Sequence, residues 1–163
     1  ANQLTFPDAL AMRLLYDGVD EAELAERVLA GTMPAQLRAA DIAMAKRLRT
    51  IGSDALGVPS SSVEVAHPAL EFARIARHFR VLCGEAITGH LTGTANTLIQ
   101  NAVRGIPIGQ SDGQRVVTAS HGWIERALHT VWGLDEADLG AVAPGLEIAQ
   151  MQHEKLRARM FMS

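Results

Sequence analysis

Between Ala86 and Val103 the chain carries no Asp, Glu, Lys or Arg. That run constrains the fold more than any other stretch. Its threonines, asparagines, glycines, glutamine and histidine make it too polar for a membrane-spanning helix, which needs about 20 mostly apolar residues. It also lacks the in-out alternation of a half-buried strand. A helix that is neutral all round is expected to be surrounded by protein, which places this one at the centre of a bundle. Gly89 and Gly93 form a GxxxG pair within it, a spacing that lets a neighbouring helix approach closely. His90 lies between them and reads as a hydrogen-bonded core or interface histidine.

The remaining sequence supplies helices to surround that run. Pro7 and Asp8 open a short helix that Gly18 closes, and Asp20 is an N-cap for a second over 21–30, ended by Gly31. Pro34 begins a longer one with an apolar face of Leu37, Ile42, Met44, Ala45 and Leu48. Arg38, Lys46, Arg47 and Arg49 are expected on its solvated side. "GVPSSS", residues 57–62, is the clearest internal loop. After Pro68, the residues Phe72, Ile75, Ala76, Phe79, Leu82 and Cys83 predict one continuous core stripe, with Arg74, Arg77 and His78 turned away. Val116, Trp123, Ala127 and Val131 predict another, ended by Gly133. Residues 135–140 leave room for one helical turn, Pro144 introduces a last helix through Met151, and the charged tail from about 152 is expected to be loosely held. Aromatic residues make up only 4% of the chain and strand formers are sparse. The expectation is all-α: one single-domain helical bundle over residues 1–163, with about six to eight helices around a buried uncharged central helix.

A formal net charge of −3 and a pI near 6.1 give no reason to expect nucleic acid as a partner. The lone Cys83 makes no internal disulfide and is most simply a small buried hydrophobe. Residues 1–11 show neither a basic start nor a long apolar run, so a cytoplasmic protein away from membranes is expected.

The segment "RGIPIGQSDGQR", residues 104–115, follows the uncharged run and poses the functional question. It fails as a phosphate loop, because Gly113 is followed by Gln114 where a lysine would have to reach the phosphates. It fails as a dinucleotide loop because no strand precedes it. Pro107 removes a backbone donor and disfavours helix at Ile106, so the chain must break there. Gln110 and Gln114 would lie one turn apart on the next helix, which Ser111 or Asp112 could cap. Elsewhere, His121, Glu125 and His129 share one helix face at a spacing of four, offering metal ligands if a second helix supplied the rest. A helical metalloprotein or metal-dependent enzyme using those three is the alternative reading. No local signature marks a nucleophile, so no catalysis is expected.

Two stretches in order carry a family resemblance. "AVRGIPIGQSDGQRVV" resembles the pattern AVRLxPLGQxxGQRLL of urease accessory proteins of the UreF family. "DLGAVAPGLEIAQMQHEKLRARMFMS" is similar to that family's DLGSxAPxLDIASMRHExxYSRLFRS, with Met162 where the family often has a basic residue. "PAQLRAADIAMAKRLRTI" resembles ELRxESxQMGRxLLRL more loosely. The family's LPxGxFxxSxGLE segment has no counterpart within these residues, so what that segment does is not expected of them. The resemblance implies a non-catalytic, all-helical scaffold that dimerises, binds UreD/UreH and recruits the GTPase UreG, so that nickel can enter apo-urease. It implies no tightly bound cofactor, nickel being handled by the assembled complex. It assigns partner recognition to Arg104, Pro107, Gly109, Gln110, Gly113, Gln114 and Arg115, and in the tail to His153, Glu154, Arg159, Phe161 and Ser163.

Overall fold

The computed structural model describes residues 5–64, 66–106, 108–140, 148 and 151–152, and side chains within them from Pro7 onward. These residues form a π turn (Thr5–Ala9) and α1 (Leu10–Asp17), α2 (Glu21–Gly31), α3 (Ala35–Leu56), α4 (Pro68–His78), α5 (Cys83–Gly105) and α6 (Gln110–Val131). A short 3-10 turn, Glu136–Asp138, follows. The regular structure of the described residues is all helical, with no strand among them.

Local chemistry sets most boundaries where the sequence places them. Gly18 ends α1 and Gly57 ends α3, each with a positive φ (96° and 68°) that other residues avoid. The Asp20 carboxylate caps α2 by accepting from the N–H groups of Ala22 at 2.9 Å and Glu23 at 3.0 Å. The stripe predicted from Phe72 to Cys83 is broken, however. α4 stops at His78, Arg80 takes a left-handed φ of 58°, and α5 starts afresh at Cys83. The helical phase is lost across the break, so Phe79 and Leu82 are exposed while Ala69, Leu70, Ala73 and Ala76 face the core.

The uncharged run is not the centre of the fold. Within α5 only Ala86, Ile87 and Leu91 are buried. α1 takes the central place, with Leu10, Ala11, Met12, Leu14 and Leu15 all buried against the π turn, α2, α4 and α5. The physical reason lies in apolar area. α1 packs leucines and a methionine into eight residues, and their burial is worth roughly 1.5–3 kcal/mol each. The threonines and asparagines of α5 gain little from burial, and Thr88 and Thr97 donate to carbonyls of their own helix, those of Gly84 (2.7 Å) and Gly93 (2.9 Å). Such a helix is neutral because it can stand in water. Gly93 has nothing near the place its Cβ would occupy, and Gly89 meets only Phe72. Among the described residues no helix backbone closes on the GxxxG pair, and only the Phe72 ring of α4 reaches it.

α3 is the most loosely seated of the six α-helices. Along its length only Ala45 and Gly52 are buried, and among its helix neighbours it packs chiefly against α4. The basic face splits in function: Arg38 Nη1 donates to the Thr32 carbonyl at 2.6 Å, and Arg49 turns inward.

Candidate partner-binding surface

α5 and α6 form an antiparallel hairpin. At its base, Gly84 approaches Leu128 and Trp132, and Ile87, Ile124, Ala127 and Val131 enter the common core. Its far end leaves the bundle. From residue 92 to residue 119, Gly113 is the only described residue that is buried. Leu98 is 57% exposed and Ile106 55%, with Ile108 and Val116 also open to solvent.

The motif of residues 104–115 forms the tip. α5 ends at Gly105, and Ile106 is extended (φ −124°, ψ 143°), as expected ahead of a proline; Pro107 itself lies outside the described residues. α6 begins at Gln110 with Gly109 as its N-cap, so neither Ser111 nor Asp112 caps it. The helix starts two residues earlier than a Ser111 cap would allow, and the Asp112 carboxylate instead pairs with Arg115 at 2.8 Å. Gln110 and Gln114 are exposed one turn apart. Ser111, Gln114, Arg115 and Thr118 line a shallow hollow beside them. Arg104 is exposed and donates to Asn101 Oδ1 at 2.6 Å.

Gly109 and Gly113 do different work at the tip. A Cβ on Gly113 would come within 2.5 Å of Val103 Cγ2, so this glycine lets α5 and α6 close on each other. A Cβ on Gly109 would meet only Asp112 Oδ2 at 3.9 Å, and its φ of −71° suits any residue. Arg104, Gly109, Gln110, Gln114 and Arg115 are therefore outward, and Gly113 is inward. His153, Glu154, Arg159, Phe161 and Ser163 lie outside the described residues.

His121, Glu125 and His129 are exposed on the outer face of α6. No group of three or more His, Cys, Asp or Glu that could hold a metal occurs among the described residues. The buried line of that helix is Gly113, Ser120, Ile124, Ala127 and Val131; Val116 and Trp123 fall outside it, and Trp123 is 50% exposed. Val116 and Trp123 sit on the flank of that stripe, about a fifth of a turn from its centre.

Two buried polar clusters were not legible in the sequence as clusters, although His90 is hydrogen-bonded as its place in the uncharged run suggests. Glu71 is fully buried in α4, where Oε1 accepts from Arg49 Nε at 2.6 Å and Oε2 from Arg74 Nε at 2.9 Å. Arg49 Nη1 also donates to the Val63 carbonyl at 2.7 Å. Glu71 and Arg74, three apart, look like an ordinary surface pair, and nothing local announces Arg49.

The second cluster joins Asp8, Asp41, His67 and His90. His90 Nε2 lies 2.9 Å from Asp8 Oδ2, and His67 Nε2 lies 4.0 Å from both Asp8 Oδ1 and Asp41 Oδ2. Burial, and then the charge of Asp8, push the Asp41 carboxyl up to about 6. Burial pulls His67 below its ordinary 6.5. The ligand types invite a metal reading, but His67 Nδ1 accepts from the Ala69 N–H at 3.3 Å. The imidazole proton therefore sits on Nε2 and fills the position a metal would need. Cys83, pushed up to about 11 chiefly by burial, is an unreactive thiol. Among the described residues no helix is long and apolar enough to cross a membrane.

Comparison with known proteins gives one consistent answer. The sequence model of the UreF family matches residues 1–121. The chain is 41% identical over 174 residues to the urease accessory protein UreF of Paenarthrobacter aurescens (strain TC1), covering 100% of this chain and 77% of the relative. It is 41% identical over 170 residues to the UreF of Arthrobacter sp. (strain FB24), covering 99% and 76%. The corresponding protein of Bacillus sp. (strain TB-90) is 35% identical over 176 residues, covering 99% and 78%.

Proposed function

The chain belongs to the UreF family of urease accessory proteins, and from that premise we propose that it is a non-catalytic cytoplasmic scaffold of urease maturation. In this reading it dimerises, holds UreD/UreH and the GTPase UreG together, and thereby lets nickel reach apo-urease. Nickel is handled by the assembly, and this chain carries no tightly bound cofactor.

One observation carries the reading: the α5–α6 hairpin leaves the bundle and presents its tip uncovered. A chain does not gain by holding Leu98, Ile106, Ile108 and Val116 in water, and apolar groups rimmed by amides and arginines suit a protein partner. Gln110 and Gln114 offer donors and acceptors on one face, and Gly109 keeps side chains away from an approaching backbone. The exposed GxxxG face of α5 offers a second close-packing surface, suited to another helix.

The test is co-purification of the full chain with UreD/UreH and UreG. Wild type is expected to retain both partners. Gly109→Leu is expected to lose them while its helical circular dichroism and melting temperature stay unchanged, because a Cβ there meets only the exposed Asp112 carboxylate, at 3.9 Å, and the φ of −71° suits leucine. A folded wild type that captures neither partner would overturn the proposal.

A further inference from the structure

We propose that Asp8, Asp41, His67 and His90 form a proton-operated clasp that sets how firmly α3 is held against the rest of the bundle. The inference is independent of the partner reading above. Four elements meet at this point: the π turn through Asp8, α3 through Asp41, the start of α4 through His67, and α5 through His90. The groups facing His67 are Asp8, Asp41 and His90, and Asp8 also faces Asp41. Glu71, one turn further along α4, is occupied by Arg49 and Arg74. The Phe72 ring lies 5.6 Å from the His90 ring and shields it.

The seating of α3 makes the clasp consequential. With only Ala45 and Gly52 buried along the helix, apolar packing contributes little, and polar ties to α4 carry more of the attachment. One tie is Arg49 to Glu71; the second meeting point is Asp41 Oδ2, which lies 4.0 Å from His67 Nε2, beyond hydrogen-bond reach, so its sign depends on which of the two groups carries a proton.

Protons act on the two halves of the clasp with opposite signs. Asp41 holds its proton up to about pH 6 when buried, against 3.8 in water. Its contribution to closure is full below 3.8 and is lost as pH rises through 6. Above that point two carboxylates flank one neutral imidazole. His67 is lowered, so its contribution is full above 6.5 and is lost as pH falls through its folded value. Protonated His67 would turn a donor toward the Ala69 N–H and lose its cap on α4.

Hydrogen exchange of the α3 amides between pH 4 and 7 reads this directly, once corrected for intrinsic rates and referenced to α1. Wild type is expected to show a shallow dependence, because the two contributions oppose each other. Asp41→Asn leaves only His67, so α3 should open more as pH falls. It should also be better protected than wild type at pH 7, having lost a buried charge. His67→Asn keeps an N-cap side chain and leaves only Asp41, so opening should rise with pH by up to about tenfold per unit between 4 and 6. Opposite slopes in the two variants support the clasp. Wild-type slopes in both, a change in α1 equal to that in α3, or weaker protection of Asp41→Asn at pH 7 would each overturn it.

Discussion

The two ends of the α5–α6 hairpin use the same pair of helices for opposite purposes. At the base, Ile87, Leu91, Ile124, Ala127 and Val131 disappear into a core shared with α1 and α4. At the tip, the hairpin is held by its own seam, where Val103 meets Gly113, and every other described side chain faces solvent or is only partly covered. Stability is thus concentrated at one end and surface at the other. On the proposed reading the separation has a use, because side chains at the tip can change without loss to the core.

That contrast can be broken most forcefully away from the tip. Glu71→Ala leaves Arg49 and Arg74 facing each other without their carboxylate, and is expected to cost about 3–5 kcal/mol in urea unfolding. A loss below about 1 kcal/mol would show that the buried triad is no part of the foundation. Ile87→Ala, at the base, is expected to cost about 2–5 kcal/mol by opening a cavity. The matched change at the outer end, Leu98→Ala, should stay within about 0.5 kcal/mol. Equal effects of the two would mean that the tip is packed against something in solution, for which native mass spectrometry would give the stoichiometry. Between these extremes, Gly113→Ala forces a methyl against Val103 and is expected to cost about 1–3 kcal/mol. Double substitution with Val103→Ala should recover most of that loss, and failure to recover it would place the clash elsewhere. The smallest change in stability is expected for Gln110→Ala, which should melt like wild type and yet weaken retention of partners. Normal retention by both Gln110→Ala and Gly109→Leu would reduce the tip to a bend between helices.

The sequence spoke clearly where chemistry is local. Gly18, Asp20, Gly57 and the Ile106–Pro107 pair mark boundaries through backbone conformation and capping, and these act within a few residues. The break at the tip was legible for the same reason, and the family resemblance implies the partner role proposed for it. Burial was harder to read. The absence of charge in α5 looked like a demand for burial, whereas its threonines are satisfied by their own backbone and ask for nothing. The stripe through Phe79 and Leu82 failed because one left-handed residue, Arg80, reset the phase. Both buried polar clusters depend on pairs far apart in the chain, such as Asp8 with His90, and no periodicity points to them.

One pair of long-range ties has a consequence for how the protein is made. Arg13 of α1 donates to the Leu134 carbonyl at 2.9 Å, and Arg27 of α2 binds the carbonyl and carboxylate of Glu136 in the 3-10 turn. The first two helices are therefore finished by residues more than a hundred positions later. At about 5–20 residues per second of synthesis, α1 and α2 wait on the order of ten seconds for their last partners to emerge. Through that interval Arg13 and Arg27 lack the acceptors that fasten their helices. The nascent chain is thus most exposed to wrong associations at its beginning, and a ribosome stalled short of Leu134 would release a bundle whose central helix is still unfastened.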